Sequence, residues 1–202
     1  MIDRRDWNTL SLGLALVDQA DPPLRFLPVD AATLLVRVGA SPRLGAILRV
    51  VHDVAGQLVD WLRTHYMSAP VDRAAVLFGA ATYDIGKVMH PEELFAPGSA
   101  HEEAGYQLLL AEGVGTDLAR FCRTHATWDE DTALDDLLVS LADKVWTGQR
   151  VPALEQLVVR RLVAMCEAEP WEVFLALNDE LTRIAAYAGQ RLAFQAGYPV
   201  NA

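Results

Sequence analysis

Five residues carry the chemistry this sequence could do: His52, Asp84, His101, His125 and Asp143. Imidazole and carboxylate together suit a divalent Zn, Fe, Mn, Co or Ni ion better than a thiolate-loving metal. Asp84 is the most informative of them. It lies in Ala80-Ala81-Thr82-Tyr83-Asp84-Ile85-Gly86-Lys87-Val88, directly after the apolar run that holds Val76, Leu77 and Phe78. An ordinary core helix would place Ala or Leu there. A carboxylate at such a place needs a partner, because burying an unpaired charge is expensive. A metal ion is one such partner, and the three histidines and Asp143 could complete its site. Each residue also has a plainer reading. His52 could be a core histidine held by a hydrogen bond. Asp143 could be solvated or could pair with Arg150. Glu102 and Glu103 favour a helix start through its dipole. His90 reads as a solvated loop residue and His65 as a surface residue at a helix end.

Helices must position these groups. Ser41-Pro42 is a favoured cap and first turn. Leu44, Ile47, Leu48, Val50, Val51, Val54, Ala55, Leu58, Val59 and Leu62 follow at helical spacing with a broad apolar face, which turns His52 inward or nearly so. Asp72 is read as the cap of a helix that ends at Tyr83-Asp84. Pro91 and Pro97-Gly98 mark a loop. Ser99 with Glu102 matches a capping box and puts His101 in a first turn. Thr116 is read as the cap of the next helix, with His125 near its end. Asp131 or Thr132 is expected to open the helix of Asp143. Pro152 and Pro170 start two more, at about 152–168 and 171–195, where Glu155, Arg160 and Arg161 read as surface charges. Upstream, a helix over 7–17 is broken by Asp21-Pro22-Pro23, and Asp30 is read as the cap of a short helix to about Val38. There is no β-alternation, repeat or low-complexity tract. The expected fold is all-α, a single-domain bundle of about eight helices: a cap segment over 1–40, a site-bearing core over 41–150, and C-terminal helices over 151–202.

Composition narrows the function classes. The chain has 202 residues, 52% of them hydrophobic, a formal net charge of −10 and a pI near 4.9. That balance disfavours nucleic acid as a partner. The two cysteines, Cys122 and Cys166, have no CxxC neighbour and read as buried reduced thiols. Met1-Ile2-Asp3-Arg4-Arg5-Asp6 does not lead into a signal peptide. No uninterrupted apolar stretch reaches the roughly 18 residues of a membrane span. The expected setting is cytoplasmic, away from membranes.

The order of the special residues resembles the HD superfamily of metal-dependent phosphohydrolases. Its members read H…HD…D, and a dinuclear branch adds two histidines before the last aspartate. The matching stretches are Arg49-Val50-Val51-His52, Tyr83-Asp84-Ile85-Gly86-Lys87, His101-Glu102-Glu103-Ala104-Gly105, His125, and Leu141-Ala142-Asp143-Lys144, within about 41–147. The resemblance implies an HD-type fold and one or two divalent ions. The first would be held by His52, Asp84 and Asp143, the second by His101 and His125 with Asp84 shared. Lys87 stands where the family's lysine meets the substrate phosphate. One position departs: Tyr83 stands where the family carries its name-giving histidine. Tyr83 could ligate as a phenolate, which needs a large drop from a pKa of about 10. It could point elsewhere and leave an open position for water. Or the site has become a binding module.

The expected function is a phosphohydrolase of a small phosphate ester, with nucleoside phosphates the family's common choice. Asp84, Lys87 and Asp143 would be catalytic. The alternatives are a degenerate HD domain that binds a phosphorylated ligand without turnover, and a dinuclear-iron oxygenase. Phe78, Phe95, Tyr106 and Trp128 are candidates to stack on a base. The apolar residues of the final helix, among them Trp171, Phe174 and Leu175, admit a homodimer.

Overall fold

The computed structural model describes residues 4–200, with side chains from Trp7 onward. The reading of the opening hexapeptide therefore lies outside the described side chains. Helix makes up 69% of the described residues, and no strand occurs among them. The order is α1 (Arg4–Val17), α2 (Val29–Arg37), α3 (Pro42–His65), α4 (Arg73–Thr82), α5 (Ala100–Ala111), α6 (Thr116–Ala119) and α7 (Phe121–Thr124). Then come α8 (Leu134–Val145), α9 (Pro152–Cys166), α10 (Pro170–Ala185) and α11 (Ala188–Ala196). Two short 3-10 turns, Ile85–Val88 and Pro91–Leu94, lie between α4 and α5.

The centre is α3. The Ser41 hydroxyl accepts the Leu44 N–H at 3.3 Å, and Pro42 occupies the first turn. The helix is apolar on several sides, so it is buried on several sides, and α1, α4, α8, α10 and α11 all pack against it. The Asp72 carboxylate accepts the N–H groups of Ala74 and Ala75, each at 3.0 Å, and starts α4. α4 then lies on both α3 and α8, and α9 and α10 continue the stack.

The helices outnumber the eight or so expected. The segment after Thr116 breaks into α6 and α7, and the last helix breaks at Ala186-Tyr187 into α10 and α11. Asp30 lies in the first turn of α2, whose cap is Pro28. Asp131 and Thr132 form a turn held by Asp129, so α8 starts later, at Leu134. Glu155 is not a surface charge. It is buried, takes two bonds of 2.8 Å from Arg150, and accepts the Val151 N–H at 3.1 Å. Arg150 is thereby engaged away from Asp143. Both cysteines are free; Cys122 is buried and Cys166 half-buried. Among the described residues no helix is long and apolar enough to cross a membrane.

Candidate metal centre

Asp84 leaves α4 one residue past Tyr83 and heads the 3-10 turn. Its carboxylate is buried, as the apolar run before it required. Two close approaches bring the histidines to it. Gly86 lies against the start of α5: a Cβ there would fall 2.0 Å from the His101 carbonyl oxygen and 2.5 Å from the Gly105 nitrogen. Gly79, on α4, packs against the Phe121 ring of α7, where a Cβ would fall 2.5 Å from the ring. The Cys122 thiol, pushed up to about 12 by burial, points at the Thr82 carbonyl at 3.6 Å and ties α7 to α4 again.

The outcome is a buried group of three, Asp84, His101 and His125, whose ligand atoms all lie within 4.8 Å of one another. The His101 Nε2 is 3.0 Å and the His125 Nε2 3.7 Å from Asp84 Oδ1. Each ring is held from behind. His101 Nδ1 donates to Glu93 Oε2 at 2.5 Å. His125 Nδ1 donates to the Phe121 and Cys122 carbonyls at 3.2 and 3.0 Å. With both Nδ1 atoms donating, the two Nε2 atoms are the ones turned inward, where an imidazole ligates a metal. Asp84 Oδ1 and His101 Nε2 are not aligned as a hydrogen bond, and both are buried without a hydrogen-bond partner. Acceptors that converge this way ask for a cation between them. The donor set, two imidazoles and a carboxylate, fits a divalent transition metal.

Electrostatics agree. Burial works to raise the Asp84 pKa, but the His101 ring, the Lys87 ammonium and the His125 ring outweigh it and hold the carboxyl well below the usual carboxylate range. Burial works against the His101 cation, yet Asp84 and Glu93 outweigh it and raise its pKa.

The other expected residues are placed differently. Lys87 sits on Asp84 Oδ2 at 2.6 Å. Asp143 is not part of the three-residue group: its Oδ1 accepts the Tyr83 hydroxyl at 2.8 Å, and its Oδ2 meets Lys144 at 2.6 Å. Tyr83 is buried edge-on to the His125 ring, with centroids 4.8 Å apart. Burial and the charges of Asp143 and Asp84 push its phenol well above 10, and its hydroxyl donates to Asp143. His52 is buried as its spacing predicts but also lies outside the group, with an unpaired Nδ1. Burial, with Arg25, Arg73 and Arg49 nearby, lowers its pKa to about 4.

Glu93 is the residue sequence reasoning missed. Besides orienting His101, it accepts the Ala100 and His101 N–H groups, each at 3.1 Å, and so caps α5. Ser99, expected to cap that helix, makes no such bond. Among the stacking candidates, Tyr106 lies under the Arg123 guanidinium at 3.4 Å, Phe95 is exposed, and Phe78 and Trp128 are half-buried. Elsewhere, a groove of about 660 Å³ beside α3 and α10 holds Arg25, Asp60, Glu180 and Arg183. Its arginines already pair with Asp60 and Glu180.

No protein family model, curated protein or solved structure matches this chain.

Proposed function

We propose that the chain is a metal-dependent phosphohydrolase of a small phosphate ester, a divergent relative of the HD superfamily with Tyr83-Asp84 in place of His-Asp. The observation that carries this reading is the convergence of Asp84 Oδ1, His101 Nε2 and His125 Nε2 in a buried site, with each ring held from behind. These residues would hold a divalent ion of Zn, Fe, Mn, Co or Ni. Bound there, the ion supplies Lewis acidity, which acidifies water and screens charge on phosphoryl oxygens. The chain's own groups do the rest. Three protein ligands leave room for water and substrate. Lys87 now neutralises Asp84; with a cation on that carboxylate, its ammonium is free to hold a phosphate oxygen. Asp143, one oxygen of which accepts the Tyr83 hydroxyl, would be the group to take a proton from that water. The acidic balance of the chain suits a small ligand better than a nucleic acid.

A second reading draws on the same donor set: two histidines and a carboxylate are also how non-haem iron oxygenases hold Fe(II). Protein loaded separately with Mn, Zn and Fe(II) separates the two. Phosphate release from phosphomonoesters or nucleotides, reduced at least ~100-fold in Lys87→Met, supports the hydrolase. Substrate-dependent O₂ uptake without phosphate release supports the oxygenase. Metal and phosphoester binding with neither activity points to a non-catalytic binding domain.

A further inference from the structure

α1 has two apolar sides. Leu12, Ala15 and Leu16 are buried in the body of the protein. Trp7, Leu10, Leu14 and Val17 face out, exposed by 54, 57, 54 and 58%. Their spacing of three, four and three is that of the seam between two paired helices. No charged residue occurs from Trp7 to Val17, although charged residues make up 22% of the chain. A solvated helix face ordinarily carries them. Beside this stripe stand Phe26 and Val29, 67 and 78% exposed, bordering an apolar groove of about 250 Å³ that Val17 also lines. The six side chains together expose roughly 700 Å², above most patches on monomers and close to the ~800 Å² per partner of a standard interface.

We propose that this face binds a second copy of the chain about a two-fold axis, with the α1 helices antiparallel. The sequence favours a copy because the stripe is self-complementary. Trp7 and Val17 are equally far from Leu12, and so are Leu10 and Leu14. Antiparallel α1 helices crossing at Leu12 therefore set Trp7 of one copy over Val17 of the other, and Leu10 over Leu14, as an isologous contact requires. Phe26 and Val29 border that seam and are covered with it. A lipid surface fits less well. A membrane-surface helix has a polar, basic face opposite its apolar one, whereas the opposite face of α1 is buried in the protein. The chain's net charge of −10 also opposes an anionic leaflet.

Sedimentation velocity with light scattering tests this. The wild-type chain at micromolar concentration is expected at twice its 22.2 kDa mass. Leu10→Glu/Leu14→Glu, on exposed positions, is expected to keep its helical circular dichroism yet associate at least ~100-fold more weakly. Leu10→Cys/Leu14→Cys is expected to cross-link into a covalent dimer on mild oxidation, while the wild type, with Cys122 and Cys166, does not. A monomeric wild type, or a dimer that survives the glutamates, overturns the proposal. So does a dimer dissolved instead by Trp171→Glu/Leu175→Glu on α10. A monomer that floats with phosphatidylcholine–phosphatidylglycerol vesicles also overturns it and reassigns the face to lipid.

Discussion

His101 stands between two carboxylates, Glu93 behind and Asp84 in front. Glu93 fixes which nitrogen faces inward, and Asp84 supplies the charge that a proton or a metal ion must balance. Glu93→Gln should therefore weaken metal binding by about 10- to 100-fold, as loss of a ligand's orienting partner does elsewhere. A metal must also compete with protons for the His101 Nε2. Because the pKa of His101 is raised, proton competition begins at a higher pH than for an ordinary histidine. Titration calorimetry in buffers of different ionisation heat should show proton release and an affinity that falls as pH falls. His52 shifts the other way, to about 4. Between pH 6.5 and 4 the unfolded chain takes a proton there that the folded chain refuses. Stability should thus be full above about pH 6.5 and decline by about 2–3 kcal/mol as pH approaches 4. Urea unfolding at several pH values checks this. His52→Leu should flatten that decline, and an unchanged slope would refute the assignment.

At the scale of elements, the site depends on how closely α4, its following turn, α5 and α7 approach. Gly86→Ala would drive a methyl group into the His101 carbonyl and the Gly105 nitrogen, which are backbone atoms with little room to yield. The expected loss is about 3 kcal/mol or more in stability, together with loss of metal, measured by thermal unfolding and metal titration. What the sequence revealed here was local. Ser41-Pro42 and Asp72 could be read as helix starts because their bonds close within three residues. His52 could be turned inward by spacing alone. Tertiary contacts hid the rest. Glu93 sits in Pro91-Glu92-Glu93-Leu94 and reads as a solvated loop acid until the chain folds it back onto α5. Ser99 loses its capping role to that same carboxylate. Asp143 reads as a ligand in sequence, and only the structure shows Tyr83 holding one of its oxygens.

At the scale of the whole molecule, one buried arginine fastens the N-terminal segment to the centre. Arg49, on α3, donates to the carbonyls of Ala15, Asp18, Leu24 and Arg25 at 2.8–3.2 Å. Asp53, one helix turn on, accepts the Arg25 N–H at 3.3 Å. Arg49→Met would keep the packing volume and leave these carbonyls unpaired. The expected loss is about 3 kcal/mol, with faster proteolytic cutting between Asp18 and Pro28. That anchor holds α1 in place, and with it the outward stripe of Trp7, Leu10, Leu14 and Val17.

The central claim is that Asp84, His101 and His125 bind a divalent ion, and elemental analysis tests it most directly. The chain would be purified without added metal or chelator, beside His101→Ala and His125→Ala. The account predicts near-stoichiometric Zn, Fe, Mn, Co or Ni in the wild type, lost from both variants while their helical content is kept. A wild-type protein that carries no metal and takes up none on addition would contradict it, as would metal retained in both variants.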